Sequence, residues 1–331
     1  MIRYALRQLE YFVAAADHAS LAKAAQALHV SEPSISVAIS KLEDLLGVQL
    51  LVRRHARGVT LTSVGRRIHA DARGLLKHAV QLQEDAEGLG GAPRGELDLG
   101  CFATFAPLYL PALVSGFGAA YPEAHVRLHE GEQDDLVSGI LAGRLEFALL
   151  YRWDLPPGID LTLLKTFQPY VLLPADHPLA YRRRLPLAEL VAEPFILLDV
   201  SPSRSYFLAI FRAAGLEPQV AFASSSIEMV RGLVGQRRGY SILVTSPPFD
   251  HTYDGREVVT RPLAEPTFPG ELCLARSARF RPTRLMQAFH DYCVAWFREQ
   301  GSGRNVDRRD PRAMTAPAPR GSKPARHRPR R

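Results

Sequence analysis

Side chains that can hydrogen-bond to the base edges of DNA are concentrated in residues 31–41. Five apolar residues at helical spacing, from Ile35 to Leu46, define the buried face of a predicted helix. The start and the outward face of this helix carry Ser31, Glu32, Pro33, Ser34, Ser36, Val37, Ser40 and Lys41. Small polar side chains leave room for base edges in the major groove and can hydrogen-bond to them. We therefore predict that this segment contacts DNA.

A basic loop follows this helix. Residues 48–52 and 58–61 predict two short strands, and Arg53, Arg54 and Arg57 lie in the turn between them. A β-wing of this kind places cations on the phosphates that flank the groove. The loop therefore adds a backbone contact to the predicted base contacts.

Three short helices must position these residues. The apolar spacing over residues 6–16 predicts the first, while Ser20 and Ser31 are the expected N-caps of the second and third. Gly47 is the expected end of the third. This order predicts a helix-turn-helix, and Ser20 is added to the predicted DNA contacts. A three-helix bundle without DNA-binding function has the same spacing, but the basic wing favours the first interpretation.

A long amphipathic helix is predicted over residues 63–90. Its apolar residues recur at heptad-like spacing without a partner in their own domain, which is typical of a dimerisation helix. Packing on the C-terminal half of the same chain is the alternative. Strand and helix patterns then alternate over residues 95–300, which predicts an α/β domain with a parallel sheet flanked by helices.

Composition limits the class of protein. The 331 residues are enough for two or three domains, and the net charge is +7. This charge is a poor guide to partners, because residues 301–331 alone hold ten Lys or Arg and only two Asp. We predict that this Pro-, Gly- and Arg-rich tail is disordered, and that it binds phosphates weakly or has no dedicated role. The lack of a long apolar run and of a recognisable signal peptide predicts a cytoplasmic protein with no membrane partner.

The N-terminal segment resembles the winged helix-turn-helix of LysR-type transcriptional regulators over residues 6–65. The anchor positions are Leu9, Phe12, Ser20, Ala24, Ala25, Leu28, Pro33, Ser36, Ile39, Leu42, Glu43, Leu46, Gly47, Leu50, Arg53, Leu61, Thr62 and Gly65. Family members often carry Gln at the position of Glu32 and Arg at that of Val37. The base preference of relatives therefore does not transfer to this sequence.

The resemblance implies the following domain order. An all-α, winged helix-turn-helix DNA-binding domain spans residues 1–62, and a linker and dimerisation helix spans 63–90. An α/β effector-binding domain spans 95–300 and is followed by the tail at 301–331. In the family this domain is periplasmic-binding-protein-like, with two Rossmann-like halves, here 95–165 plus 268–300 and 166–267. A small-molecule effector binds between the halves, and homodimers or tetramers bind a promoter operator in double-stranded DNA.

Polar groups at strand ends and helix starts are the candidate effector contacts. Thr104 precedes a predicted helix whose backbone N–H groups can bind an anion, and the resemblance places an effector contact there. The full candidate set is Phe102, Thr104, Gln133, Tyr151, Ser201, Ser203, Arg204 and Ser226. Helix capping is the alternative role of each single residue. Relatives that bind carboxylates often carry Arg at the position of Tyr151, so this sequence favours an aromatic or amino-acid-like effector over a simple dicarboxylate.

Other functions are less well supported. No dinucleotide-binding, phosphate-loop, nucleophile-elbow or zinc-protease motif is found, and His177 lacks an evident carboxylate and nucleophile partner. We therefore predict no catalytic residue, no cofactor and no metal ligand.

The peroxide-sensing branch of the family needs a close reactive cysteine pair in the second half of the effector domain. The cysteines here are Cys101, Cys273 and Cys293, so redox sensing is rejected. An effector-independent, DNA-bridging architectural protein remains the alternative to an effector-responsive regulator.

Overall fold

The computed structural model describes residues 3–54, 58–86 and 92–303. The first domain contains three helices, α1 (Leu6–Asp17), α2 (Leu21–Ala27) and α3 (Glu32–Leu46). The hydroxyls of Ser20 and Ser31 accept the backbone N–H of Lys23 and Ser34, so both act as N-caps. Gly47 ends α3 at a φ of 67°, a left-handed conformation that glycine adopts without steric cost. The inward faces of the three helices form one apolar core around Phe12, Ala24, Ile35, Ile39 and Leu42.

The wing consists of β1 (Leu51–Arg54) and β2 (Gly58–Leu61), which pair antiparallel. The first strand begins three residues later than the predicted 48–52. The reason is that Glu43 Oε1, on α3, accepts the backbone N–H of Leu50 and Leu51 at 2.7 and 3.0 Å. Residues 48–50 are therefore part of the turn after α3. Arg57 and the side chain of Arg54 lie outside the described part of the chain.

Helix α4 (Ser63–Ala86) contacts both domains of its own chain. Asp17 on α1 accepts hydrogen bonds from Arg73 and pairs with His69, each at 2.8 Å. Toward the second domain, Lys77 forms an ion pair with Glu146 and Asp71 one with Arg279. Helix α4 therefore does pack on the C-terminal half of its own chain, which was the alternative to a role in dimerisation. Three large apolar side chains of α4 remain exposed: Leu75, Val80 and Leu82.

The first half of the second domain is built on a five-stranded sheet. Its elements are β3 (Gly95–Phe102), α5 (Ala106–Ala120), β4 (Ala124–Gly131), α6 (Gln133–Leu141), β5 (Phe147–Tyr151), β6 (Ile159–Phe167), β12 (Gly270–Ser277) and α10 (Arg284–Gly303). The strand order is β4-β3-β5-β12-β6. Strands β3, β4 and β5 are parallel, whereas β12 is antiparallel to both of its neighbours. The sheet is therefore mixed, because β12 returns from the other half.

The second half contains the intervening residues. Its elements are β7 (Tyr170–Pro174), α7 (Leu187–Leu190), β8 (Pro194–Leu198), α8 (Ser203–Ala213), β9 (Gln219–Ser224), α9 (Ile227–Gly235), β10 (Ser241–Leu243) and β11 (Val258–Pro262). Strand β7 pairs antiparallel with β10 and β11, and β8 pairs parallel with β9. A bridge between Phe195 and Tyr240 joins the two groups of strands. Two crossings, after β6 and before β12, connect this half to the first.

Several sequence expectations need correction. Strand β6 was not predicted, and the proposed end of the first half at residue 165 falls inside it. Residues 159–163 do alternate apolar and polar side chains, but the alternation ends at Leu164, so only part of this strand has the period of two that identifies one. Strand β11 and the one-turn helix α7 were also missed. Helix α10 runs three residues past residue 300, and the rest of the basic tail lies outside the described residues. Within the described part of the chain, no helix is long and apolar enough to cross a membrane.

Candidate functional site

The exposed face of α3 holds most of the predicted DNA contacts. Ile35, Ile39 and Leu42 are buried, so the helical repeat turns the intervening residues outward. Exposed side chains on this helix and its N-cap are Ser31, Glu32, Pro33, Ser34, Val37, Ser40 and Lys41, and Ser36 is half-buried. Ser20 is half-buried as the N-cap of α2. A shallow open depression on this face is lined by four of these residues, Pro33, Ser34, Val37 and Lys41, and by Gln8 and Ala38.

The wing is tied to this face by a side-chain hydrogen bond. Arg53 Nη2 donates to Ser36 Oγ at 2.9 Å, which joins β1 to the middle of α3. The other strand is held by the turn between α1 and α2, since the N–H of Val59 donates to the Ala19 carbonyl at 3.0 Å. Gly58 lies directly against the same carbonyl, where a Cβ would collide with it. The wing is therefore fixed relative to the helix.

A second candidate site lies between the two halves of the α/β domain. It is a narrow cleft of about 10 Å³, partly open to solvent. The first half contributes Tyr151, Arg152, Trp153, Gly270 and Glu271. The second half and the second crossing contribute Pro202, Ser203, Tyr206, Phe207, Val244 and Pro269. A cleft of this volume holds about one water molecule, so a small molecule could bind there only if the two halves moved apart.

Two predicted residues lie directly behind the cavity wall. Gln133, at the start of α6, donates to the Trp153 carbonyl and accepts the Tyr151 N–H, each at 2.9 Å, and so fixes the end of β5. Phe102 packs on Tyr151 in an edge-to-face contact with ring centres 5.6 Å apart. The structure thus brings Phe102, Gln133, Tyr151 and Ser203 together.

Thr104 neighbours Tyr151 but is not among the residues that line the cavity. It is buried, and its hydroxyl has no hydrogen-bond partner of good geometry among the described residues. An unpartnered buried hydroxyl destabilises the protein, so such a group calls for an explanation. Burial raises the pKa of the Tyr151 phenol, against a smaller opposite effect of the neighbouring Thr104 hydroxyl. The phenol therefore remains a protonated donor at physiological pH.

Of the eight predicted effector contacts only Tyr151 and Ser203 line this cavity, and three of the others have different roles. Arg204 is exposed and pairs with Asp199 at 2.8 Å, because this carboxylate precedes α8 and reaches its first turn. Ser226 is exposed and caps α9 by accepting the N–H of Met229. Ser201 donates to Asp134 across the two halves at 3.2 Å. Capping and bridging, the ordinary roles of such groups, account for all three.

Sequence reasoning missed three aromatic residues of the cavity, Trp153, Tyr206 and Phe207. Trp153 follows Tyr151 by two residues, and its indole N–H donates to Ser205 Oγ of the other half at 3.1 Å. Tyr206 packs edge-to-face on Trp153 and donates to the Phe268 carbonyl at 2.6 Å. Their position beside strand ends and in the first turn of α8 was the available signal. Arg152 and Glu271 at the rim lie 3.6 Å apart.

The sequence singled out His177 as the histidine to test for a catalytic role. His177 does have a carboxylate partner, contrary to the sequence expectation, since its Nε2 lies 2.9 Å from Glu193 Oε2. This pair joins the loop after β7 to the start of β8, away from the cavity. Within the described residues, no group of three His, Cys, Asp or Glu side chains could hold a metal ion.

Comparison with known proteins covers both domains. Residues 6–66 match the bacterial regulatory helix-turn-helix protein, lysR family, and residues 90–298 match the LysR substrate binding domain. A hydrogen peroxide-inducible genes activator of Dickeya chrysanthemi is 30% identical over 76% of this chain and 82% of its own length. The crystal structure of HinK, a LysR family transcriptional regulator from Pseudomonas aeruginosa, is 42% identical, covers 89% of this chain and 99% of its own, and has a TM-score of 0.61. Full-length OxyR C199D from the same organism is 26% identical over 88% of this chain and 95% of its own, with a TM-score of 0.73.

Proposed function

The chain belongs to the LysR family of bacterial transcriptional regulators, and from this premise we propose how its residues divide the work. As a member it is a DNA-binding regulator whose action on DNA is modulated by a small-molecule effector. We propose that the exposed face of α3 and the wing read a promoter operator. The cavity between the two halves binds a small aromatic effector.

The Arg53–Ser36 hydrogen bond supports the assignment of the DNA-reading surface. It holds a guanidinium beside the exposed residues of α3, so that base contacts and backbone contacts have a fixed spacing. Arg54 and Arg57 extend the positive charge of the same wing. A helix of this exposure and length fits the major groove.

The unpartnered hydroxyl of Thr104 is the observation that carries the effector assignment. Hydrogen bonding to a ligand would remove the cost of burying it. Thr104 neighbours Tyr151, which forms the aromatic wall of the cavity together with Trp153 and Tyr206. Aromatic walls favour the binding of planar, apolar molecules, which can make stacked or edge-to-face contacts with the rings. The effector is therefore proposed to be a small aromatic compound.

The rim of the cavity indicates what the aromatic compound carries. Arg152 and Glu271 are one cation and one anion that pair at 3.6 Å. A free carboxylate and a free ammonium group on the ligand would each find a partner of opposite charge there. An aromatic amino acid satisfies both charges and the aromatic wall, whereas a dicarboxylate would meet Glu271 unfavourably.

The two halves are connected across the cavity by side chains that a ligand would disturb. Trp153 donates to Ser205, and Ser201 donates to Asp134. A ligand that binds one spacing of the halves better than another shifts their equilibrium toward that spacing. Helix α4 contacts both this domain and α1, so it is the physical connection to the DNA-reading surface.

Self-association is proposed to use the exposed apolar residues of α4. Leu75, Val80 and Leu82 are 43%, 58% and 70% exposed, and Leu75 and Leu82, seven residues apart, lie on the same side of the helix. Pairing of two α4 helices would place two copies of α3 on an inverted repeat of DNA. We propose a homodimer as the basic unit, which acts in the cytoplasm because its target is promoter DNA.

Oxidation of cysteine is not proposed as the signal, although the Dickeya relative is named for hydrogen peroxide. All three cysteines are buried and unpaired. Burial raises the pKa of Cys273 to about 11 and that of Cys293 to about 12, and it also raises the pKa of Cys101. Peroxide reacts with exposed thiolates, so these thiols are poor sensors. The proposal also assigns no catalytic role to any residue.

Ligand titration followed by tryptophan fluorescence tests the effector assignment. The chain has two tryptophans, so a Trp296→Phe variant leaves Trp153 as the reporter. Aromatic amino acids should change its emission in a saturable manner, and aliphatic dicarboxylates should not. A saturable response to dicarboxylates alone would contradict the proposal.

A further inference from the structure

An apolar side chain occupies the middle of the exposed face of α3. Val37 is 54% exposed, one helical turn after Pro33 and one turn before Lys41. Residues four apart lie on the same side of a helix, so these three residues form one strip. Contact of water with an exposed valine is unfavourable, so burying this side chain against another apolar surface would stabilise a complex.

Three polar side chains around Val37, those of Ser34, Ser36 and Gln8, already have partners. Ser34 Oγ lies 2.7 Å from Ser31 Oγ, and Ser36 Oγ accepts the hydrogen bond from Arg53. Gln8 accepts the Ala5 N–H at 2.8 Å and donates to the Ala38 carbonyl at 3.5 Å. Pro33, Val37 and Ala38 thus form the apolar part of the lining of this depression, beside polar groups that are held in position.

The major groove of DNA offers one apolar group of matching size. Among the four bases only thymine presents a methyl group there, at C5, while the other groups are hydrogen-bond donors and acceptors. We propose that Val37 contacts the C5-methyl of one thymine in each half-site and so selects a T·A pair at that position. The inference rests on the proposed function, because it requires α3 to lie in the major groove. Lys41, one turn further along the same strip, is exposed and placed to contact the DNA backbone.

Replacement of thymine by deoxyuridine tests this contact, because it removes only the methyl group. Preferred duplexes are first selected from a pool with a random central segment, using the full-length protein. Each thymine in one half-site is then replaced singly by deoxyuridine, and Kd is measured for the wild type, Val37→Ala and Val220→Ala. Val220 is a matched control, since it is 46% exposed and lies on β9 in the other domain.

We expect one replacement in the half-site to raise the Kd of the wild type about fourfold, since burial of a methyl-sized group contributes about 0.8 kcal/mol. Val220→Ala should show the same fourfold effect, and Val37→Ala should bind the thymine and deoxyuridine duplexes equally. A preferred duplex whose methyl dependence persists in Val37→Ala overturns this inference alone. A pool that yields no preferred sequence overturns the proposed function and this inference with it.

Discussion

The guanidinium of Arg53 donates a hydrogen bond to the Ser36 hydroxyl at 2.9 Å, and this contact joins the wing to α3. Ser36 is half-buried in the middle of the helix, and Arg53 lies on the first wing strand. The hydrogen bond therefore sets the spacing between the residues that can read bases and a cation that can bind a phosphate. It also allows the charge of Arg53 to be tested separately from its position.

Replacement of Arg53 and of Ser36 should give different salt dependences. Arg53→Ala removes a cation from the DNA-facing surface, so the slope of log K against log salt should decrease by about 1. Ser36→Ala keeps the cation and removes its hydrogen-bond partner, so the slope should not change. Affinity should fall about fivefold, which corresponds to the loss of one hydrogen bond of about 1 kcal/mol. Binding titrations at several salt concentrations measure both. Arg212→Ala, an exposed arginine on α8, is the control. An unchanged affinity in Arg53→Ala would show that the wing does not contact DNA.

Replacement of Thr104 by valine should separate stability from effector response. The valine removes a buried hydroxyl without a partner at nearly constant volume, so the free energy of unfolding should rise by about 1 kcal/mol. Effector affinity should fall about tenfold, because the ligand loses a buried hydrogen bond worth about 1–1.5 kcal/mol. Denaturant unfolding and ligand titration measure the two effects, with Thr166→Val, an exposed threonine on β6, as the control. Lower stability with unchanged ligand affinity would assign the hydroxyl a structural role.

Charge on the exposed face of α4 should break the proposed homodimer. Leu75→Glu with Leu82→Glu, seven residues apart on one side of the helix, places two carboxylates where an apolar surface would be buried. We expect monomers in sedimentation velocity with an unchanged circular dichroism spectrum, and weaker binding to a two-half-site duplex. Leu163→Glu, an equally apolar exposed site on β6, should remain dimeric. A dimer that survives the double substitution would place self-association elsewhere.

The three thiols should be unreactive in the folded protein. Their raised pKa values keep them protonated at pH 8, and burial excludes the reagent. A chromogenic disulfide reagent should therefore titrate none of them rapidly in buffer and all three in denaturant. Hydrogen peroxide at concentrations that oxidise exposed thiols should leave DNA binding unchanged. Rapid titration of even one native thiol, with a change in DNA binding, would restore redox sensing as the signal.

Removal of the basic tail should affect non-specific binding only. Deletion of residues 304–331 removes ten Lys or Arg and two Asp beyond the end of α10 as the structure describes it. Affinity for random-sequence duplex should fall and its salt dependence should decrease, since both follow the number of phosphates neutralised. Affinity for the operator at physiological salt should change much less. Loss of operator binding would instead give the tail a direct part in recognition.

The first domain could be predicted almost entirely from sequence. The apolar spacing of α3, its N-cap Ser31 and its terminal Gly47 are local signals, and each occurs where the structure has it. The start of β1 was harder to predict from sequence. It depends on the carboxylate of Glu43, which binds two backbone N–H groups seven and eight residues away in sequence.

The effector cavity was only partly predictable. Tyr151 and Ser203 could be placed there because strand ends and helix starts meet between the two halves. The contacts of Trp153 with Ser205 and of Gln133 with the end of β5 join residues 52 and 18 positions apart. Their geometry depends on how the halves close, for which a single sequence holds no local signal. For the same reason the sequence-based prediction placed Arg204 in the cavity, whereas its side chain pairs with Asp199 just before α8.

The central claim is that a small aromatic molecule bound between the two halves changes how α3 and the wing occupy DNA. A nuclease footprint of the purified protein on the DNA upstream of its own gene, with and without aromatic amino acids at physiological salt, tests it most directly. The account predicts a discrete protected region that shortens or shifts with one of these compounds for the wild type but far less for Thr104→Val. Diffuse protection that salt removes and no compound changes would contradict it and would favour a DNA-bridging architectural protein.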